Sequence, residues 1–444
     1  MELPSSMRVN EKGHLEIGGC DSIDLVNQFG SPLYVMDESL IRKNCKSFVS
    51  ALNSNYPNSE VIYASKAFMT KAVCRIIEEE GLGLDVVSGG ELYTALQADF
   101  PMDRVYFHGN NKSLDELKMA LEAGVSRIVV DNFYELEILN DLCKEMHRHA
   151  NIILRITPGI EAHTHDYIKT GQIDSKFGFV LENGQAFLGI EKVKKMKRLK
   201  LTGIHCHIGS QIFETAPFEL AAKVMLKFIH DVKEKYKIEI KELNLGGGFG
   251  IKYTSSDKPL EFKDYIKTIT SAVENYCEKY GLSLPKIIIE PGRAIVGNAG
   301  ITLYTVGAIK DIPGIRKYVS VDGGMSDNIR PALYQAKYNA VVANKCLETP
   351  TETVSIAGKC CESGDMLIWD IKLPKMRPGD ILAIFSTGAY HYSMASNYNK
   401  LPRPATVLVN NGSADLIIKR ETYEDLLKND VVPRRLQKRS VSSA

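Results

Sequence analysis

From residue 61 onward, short runs of valine, isoleucine and aromatic residues alternate with longer stretches in which apolar positions recur every three to four residues. The short runs fall at 61–68, 82–87, 105–108, 127–131, 152–157, 201–207, 242–245 and 287–290, and their near-continuous apolar character predicts eight buried strands. The stretches between them predict helices. Ser88-Gly-Gly-Glu91, Ser113-Leu-Asp-Glu116 and Asn132-Phe-Tyr-Glu135 read as capping boxes placed just after a strand or its loop. Eight strand–helix units favour an α/β fold in which the strands close into a parallel (β/α)8 barrel. An open doubly wound sheet has the same periodicity, so the pattern alone does not decide closure.

The flanks differ. Upstream, a hairpin-like piece at 13–18, a helix at 21–28 and a strand at 32–36 lead to Asp37, which suits the N-cap of a helix over 38–52. After Gly300 the period becomes two, with runs at 301–309, 318–321, 337–343, 353–356, 366–371, 381–385, 405–409 and 416–419, predicting an all-β domain. The predicted organisation is thus an amino-terminal segment 1–35, a barrel over 36–297, and a β domain over 298–444 that ends in a short helix (423–428) and a basic tail (433–439). No Pro/Ser-rich linker separates barrel and β domain, so they should pack together.

Composition narrows the functional classes. With 444 residues, 25% charged, and a net charge of +1, the chain has no field to attract nucleic acid or an anionic membrane surface. No apolar run approaches the ~18 residues of a transmembrane helix, and the amino terminus lacks the charged-then-apolar pattern of a signal peptide, so a cytoplasmic protein is expected. Nine cysteines without a Cys-x-x-Cys pair or zinc spacing predict neither a disulfide framework nor a bound metal. The basic tail suits a solvated terminus.

Ligands of such barrels bind at the carboxyl ends of the strands. Those ends carry Lys66, Asp85 with Ser88, His108 with Asn110, Asp131 with Asn132, Arg155, His207 with Ser210, the Gly246-Gly-Gly248 turn, and Glu290 with Arg293. Every one is polar or glycine. An amine at the end of the buried run Val61-Ile-Tyr-Ala-Ser-Lys66 is costly to leave ionised, which favours a nucleophilic, Schiff-base lysine; the same position also suits a lysine leaning into solvent. Three successive glycines let a backbone approach an anionic phosphate, or simply make a tight turn. Glu290 and Arg293 lie within one turn and could hold a protonated ring nitrogen and a carboxylate, or merely each other. His205 and His207 share one face of their strand. They raise a metal reading, but no third ligand stands beside them in the sequence, and a flat imidazole stacked on a flat cofactor fits the other strand ends better.

Tyr63-Ala-Ser-Lys66, His207-Ile-Gly-Ser210, Gly246-Gly-Gly248 and Glu290-Pro-Gly-Arg293 together resemble the signature segments of the pyridoxal-phosphate-dependent decarboxylases of the alanine racemase-like fold, the class II ornithine/lysine/arginine decarboxylase family. Residues 158–165, 170–178, Cys361-Glu-Ser-Gly-Asp365 and Thr387-Gly-Ala-Tyr390 are most similar to the branch that converts meso-2,6-diaminopimelate to L-lysine and carbon dioxide, the last step of lysine biosynthesis. The match runs in order from about residue 10 to 425.

That resemblance implies a barrel plus a β domain that also recruits the amino-terminal segment. It implies pyridoxal 5'-phosphate bound by Lys66, with Asp85, His207 stacked on the ring and Glu290 on the ring nitrogen. Ser210, Gly247, Gly248, Gly292, Arg293 and Tyr390 would hold the phosphate. It further implies a homodimer in which the segment with Cys361 and Glu362 comes from the second subunit, Cys361 acting as proton donor. A substrate with a second ammonium and carboxylate needs a fixed cation and a fixed anion at its far end: Arg293, Arg330, Tyr334 and Tyr390 supply one side and Glu362 the other. Ornithine or lysine would present only an ammonium to two arginines. Three competitors remain: a decarboxylase of another basic amino acid, an amino-acid racemase on the same fold, and a non-catalytic relative. The racemase lacks use for the Cys361-Glu362 segment, and the last should have lost part of the set Lys66, His207, Glu290 and Cys361. Which of Cys360 and Cys361 faces the substrate stays open.

Overall fold

The computed structural model of the chain describes residue 3 and residues 7–160 and 174–437. Residues 161–165, 170–173 and 438–439, which belong to two of the motif segments and to the basic tail, lie outside them.

Eight strands form the barrel: β1 (Ser59–Ala64), β2 (Gly83–Val86), β3 (Val105–Phe107), β4 (Arg127–Val130), β5 (Ala150–Thr157), β6 (Leu199–His205), β7 (Glu242–Asn244) and β8 (Lys286–Ile289). Neighbours in chain order pair in parallel all the way round. The ring shuts where β8 meets β1, Ile287 opposite Ser59 and Ile289 opposite Val61. That pair excludes the open sheet.

Alternation along the strands sorts the barrel interior into layers. Ile62, Tyr106, Val129, Ile153 and Ile288 form an apolar middle layer. Two residues before it, Glu60, Arg127, Glu242 and Lys286 make ion pairs at the amino-terminal end, Arg127 Nε donating to Glu242 at 2.8 Å. Two residues after it come His108, Asp131, Arg155 and Glu290, all on the side where the loops carry the chemistry. The helix Glu38–Asn55 precedes β1 but fills the outer-ring position after β8, where only the four-residue helix Arg293–Val296 follows the strand. Its Phe48 stacks on Phe262 of the helix Phe262–Tyr280, ring centroids 4.3 Å apart.

Of the three predicted capping boxes, Ser113–Glu116 has both arms. The other two differ in one arm: Glu91 accepts from the Val87 amide at 2.8 Å and Glu135 from the Asp131 amide at 3.0 Å. Both amides sit where the strand ladder has just ended and would otherwise lack an acceptor.

In the second domain the strands run Met366–Leu373, Glu352–Ala357, Arg316–Val321, Gly300–Ile312, Leu33–Asp37, Ala405–Asn410 and Ser413–Ile418 across one sheet, with Ile381–Phe385 and Ala340–Val342 branching from Gly300–Ile312. The amino-terminal strand Leu33–Asp37 is therefore internal, antiparallel to Gly300–Ile312 and parallel to Ala405–Asn410. Leu33, Val35, Ile301, Leu303, Ala383 and Val407 share a second core. Asp37 ends this strand and caps the next helix, its Oδ1 accepting from the Leu40 amide at 2.9 Å, so the sheet is joined directly to the barrel. All nine cysteines are free thiols. Among the described residues no helix is long and apolar enough to cross a membrane.

Candidate active site

The loops after the strands enclose a cavity of about 400 Å³. Lys66, Asp85, His207, Ser210, Glu290, Arg293, Arg330, Tyr334 and Tyr390 all line it. A side cavity of about 50 Å³ shares seven of these and adds Gly247, Gly248 and Gly292.

Strand β1 stops at Ala64, and Ser65–Ala67 form a 3₁₀ turn that carries Lys66 out of the ladder. The turn is tied from three directions. Tyr63 donates its hydroxyl to Phe68 O at 2.7 Å, Tyr390 donates its amide to Ala67 O at 2.8 Å, and the Ala64 amide reaches Pro291 O at 3.2 Å. Lys66 is exposed in the mouth of the cavity. This corrects the expectation of an amine buried at the strand end: the turn lifts it past the packed layer.

The glycine turn after β7 cannot carry side chains. Gly246 and Gly248 have φ of 69° and 108°, and a Cβ on Gly247 would fall 2.2 Å from Glu290 O. Beside it, Arg293 donates to Ser210 Oγ at 2.8 Å and to the Tyr253 hydroxyl at 2.5 Å, while its buried Nε has no partner. Bare backbone, a hydroxyl and a guanidinium with a spare donor suit a phosphate group.

Across the cavity floor, His207 Nδ1 accepts from the Gly247 amide at 3.3 Å. Burial, with Lys66 nearby, holds its pKa well below the ordinary histidine value, so the ring is neutral and flat, as stacking on an aromatic cofactor requires. Glu290 is buried and surrounded by donors. Asn244 Nδ2 donates to its Oε1 at 2.6 Å, His205 Nε2 donates to Oε2 at 3.2 Å, and His108 Nε2 stands 2.9 Å from Oε1. Burial alone would raise its pKa, but His108 and His205 outweigh that and hold it well below the usual carboxylate value. An ionised carboxylate in this position is the partner a protonated pyridine nitrogen needs. Asp85 behaves oppositely, burial pushing its pKa up to about 6 in spite of His108. The residues present thus fit pyridoxal phosphate: a reachable amine, a cradle for phosphate, a neutral ring for stacking and a carboxylate for the ring nitrogen.

At the far end Arg330 opens the helix Arg330–Tyr334, with Pro331 in the second helical position. Its Nε donates to the Tyr338 hydroxyl at 2.8 Å, and its guanidinium lies 5.2 Å from the Tyr334 ring and 5.6 Å from the Tyr390 ring. Among the described residues neither Arg293 nor Arg330 has a carboxylate partner, although both are buried; their hydrogen bonds go to hydroxyls. Two such cations facing one cavity call for anionic ligands.

Cys361 and Glu362 line neither cavity. Both are exposed on a turn of the β domain, where Cys361 donates its amide to Asn399 Oδ1 at 2.7 Å. Cys360 is buried, and burial raises its thiol pKa. The structure also adds residues to which the sequence attached no role. The third neighbour missing beside His205 is present after all: His108 and Glu290 arrive from β3 and β8, the three placing one ligand-type atom each within 4.8 Å. Arg155 and Asn244 join them. Each sits two residues beyond a middle-layer or amino-end residue of its strand, which is the signal that would have found them.

Residues 38–297 match the family model for the pyridoxal binding domain of pyridoxal-dependent decarboxylases. The diaminopimelate decarboxylase of Bacillus subtilis (strain 168) is 59% identical over 97% of this chain and 98% of its own length. Among solved structures, diaminopimelate decarboxylase from M. jannaschii superposes with a TM-score of 0.91 at 38% identity, covering 98% of this chain and 99% of the other. The same enzyme in co-complex with L-lysine gives a TM-score of 0.90 at 38% identity, covering 98% and 100%.

Proposed function

The chain belongs to the diaminopimelate decarboxylases of the pyridoxal-dependent decarboxylase family, and from that premise we propose which of its residues perform which part of the reaction. It removes carbon dioxide from meso-2,6-diaminopimelate to give L-lysine, using pyridoxal phosphate. Bound in the cavity, the cofactor supplies an electron sink for the pair left behind when the α-carboxylate departs.

Lys66 would hold the cofactor through its amine. His207 covers one face of the ring. Glu290, ionised, keeps the ring nitrogen protonated, and Asp85 stands beside it. Ser210, Gly247, Gly248, Gly292 and Arg293 would hold the phosphate, with Tyr390 beside Arg293. Arg330 and Tyr334, with Arg293 and Tyr390, receive the carboxylate of the substrate. Cys361 delivers a proton to the α-carbon and Glu362 takes the distal ammonium, both from the second subunit of a homodimer. The cofactor-binding unit begins after the strand Leu33–Asp37, over residues 38–297, and that strand belongs with the β domain. What supports a cytoplasmic location is the biosynthetic, lysine-forming reaction.

The observation that supports this substrate is the pair of buried arginines, Arg293 and Arg330, that flank the Tyr253 and Tyr390 rings at one cavity and, among the described residues, have no carboxylate partner. A site of this kind leaves its own cations unpaired when offered ornithine or lysine, and can reject such analogues by ~10⁴-fold or more. Purified protein loaded with pyridoxal phosphate is expected to release carbon dioxide from meso-diaminopimelate and not from lysine. Cofactor bound with no release from meso-diaminopimelate would overturn the assignment.

A further inference from the structure

Glu290 is not alone behind the cofactor site: a second carboxylate, Asp85, is buried in the same wall, and the imidazole of His108 lies between them. His108 Nε2 is 2.9 Å from Glu290 Oε1 and 3.8 Å from Asp85 Oδ1, and the side chain is 5% exposed. The contact with Glu290 is close but not aligned as a hydrogen bond, and Nε2 has no hydrogen-bond partner. What passes between them is therefore charge. We infer that His108 is a positioning residue, an imidazolium standing between Asp85 and Glu290 whose charge keeps Glu290 ionised toward the ring nitrogen.

The inference rests on the reading of Glu290 given above, and the other groups that grip Glu290 supply hydrogen bonds rather than charge. Asn244 and His205 both donate to Glu290, but an amide is neutral, and burial drives the His205 pKa down to about 4. His205 packs edge-on against His108, ring centroids 4.9 Å apart, as a neutral ring. Two further cations act on this wall without an ion pair to either carboxylate: Lys66 is given over to the cofactor, and Arg155 has its Nε 3.8 Å from Asp131 and its guanidinium 4.1 Å over the Phe177 ring. Burial opposes an imidazolium at His108, yet Asp85 and Glu290 together outweigh it and hold its pKa above the ordinary value. Without that charge, two buried carboxylates would share one dry wall with no cation in contact, and like charges so placed retain a proton between them. A proton kept by Glu290 is one that no longer favours a protonated ring nitrogen.

The test uses holoenzyme loaded with pyridoxal phosphate labelled with ¹⁵N in the ring. In the native protein at pH 7.5 the ring nitrogen should resonate as protonated, and in Glu290→Gln it should move to the unprotonated position. His108→Gln preserves a neutral donor of similar reach, so a purely steric or hydrogen-bonding role predicts no change. The expected result is a move in the same direction as Glu290→Gln, with kcat lower by about 10- to 100-fold, the usual size for groups that act through an active-site residue, and KM little altered. A shift in Glu290→Gln but none in His108→Gln overturns this inference alone; no shift in Glu290→Gln overturns the reading of Glu290 and this inference with it. A measurement on native protein guards against a variant that fails to fold. Histidine ¹⁵N spectra at pH 7.5 should show His108 with both ring nitrogens protonated, and a neutral ring there would overturn the proposal.

Discussion

Glu290 is 6% exposed and gripped by side chains from three strands, whereas Cys361 and Glu362 project from a turn into solvent, the Glu362 carboxylate accepting from the Gly364 amide of its own turn at 3.2 Å. The contrast is one of readiness. Behind Glu290 the donors, the counter-charge and the dry surroundings are all in place within one chain. The turn is equally well built but differently aimed. Asp365 accepts from the Cys360 amide at 2.7 Å and from the Met325 amide at 2.6 Å, and Asn399 holds the Cys361 amide. A rigid backbone that presents a thiol and a carboxylate outward, away from the cavity of its own chain, is what a contribution to a neighbouring copy requires. Electron-sink chemistry demands a preorganised interior, while proton delivery needs only a group held at the right place when the site closes.

The comparison is broken or upheld most decisively by mixing. On the proposed roles Lys66→Ala removes the cofactor's anchor and Cys361→Ser the proton donor, so each variant alone should be almost inactive. If the turn serves the partner, subunits of the two variants reassembled in equal amounts recover about a quarter of native activity, because half of the symmetric pairs become mixed and each mixed pair has one intact site. Recovery absent under conditions that exchange subunits would place the thiol's role within its own chain or nowhere. Cys360→Ser, at the buried neighbour, should keep most of the activity.

The next effect tests the finished side at its far end. Arg330→Lys keeps a positive charge but loses the planar fork and the contact with Tyr338. Losing a charge-assisted hydrogen bond to substrate should raise KM for meso-diaminopimelate by about 10- to 100-fold. The cofactor spectrum should stay native, since Arg330 touches neither the glycine turn nor Glu290. A change in the spectrum with KM unmoved would mean that Arg330 belongs to the cofactor's half of the cavity.

Much of the barrel is legible in the sequence alone. Buried parallel strands announce themselves as short β-branched runs, and seven of the eight barrel strands lie within two residues of their expected places because turns and caps end them locally; β1 stops four residues early, at Ala64, where the 3₁₀ turn takes over. Closure is not legible: it depends on Ile287 meeting Ser59, a long-range pairing that leaves no periodic trace. In the cavity, polar strand ends such as Asp85, His207 and Glu290 stand out against apolar runs. His108 stands out too, but its meaning lies in being 2.9 Å from a residue on β8, and such distances are properties of the closed ring. The depth of Lys66 escapes the sequence pattern because a 3₁₀ turn, unlike a strand end, lifts its side chains out of register. Cys361 and Glu362 carry no local signal of their role; only the resemblance of the segment around them points to it.

The smallest effect separates the two regions by the sign of their pH dependence. In the cavity wall, burial lowers the His205 pKa to about 4, against about 6.5 for a free histidine, so the unfolded chain takes up a proton that the folded one refuses. Stability from this group is present above pH ~6.5 and is lost as the pH falls toward 4. Beneath the exposed turn, Asp327 accepts from the Gly324 amide at 2.8 Å and from the Tyr304 hydroxyl, but burial still raises its pKa to about 7. There the folded state holds the proton more tightly, so stability is present at low pH and lost as the pH rises from about 4 through 7. Each variant should cancel its own slope. Urea midpoints, taken relative to the parent protein, should favour His205→Gln increasingly as the pH falls from 6.5 to 5, by about 1–2 kcal/mol in all. Asp327→Asn should gain in the opposite direction, by about 1 kcal/mol per pH unit up to neutrality. Parallel slopes in the two variants would show that the wall and the floor of the turn titrate as one buried network, and the division between a finished interior and a presented turn would then fail at the level of their electrostatics.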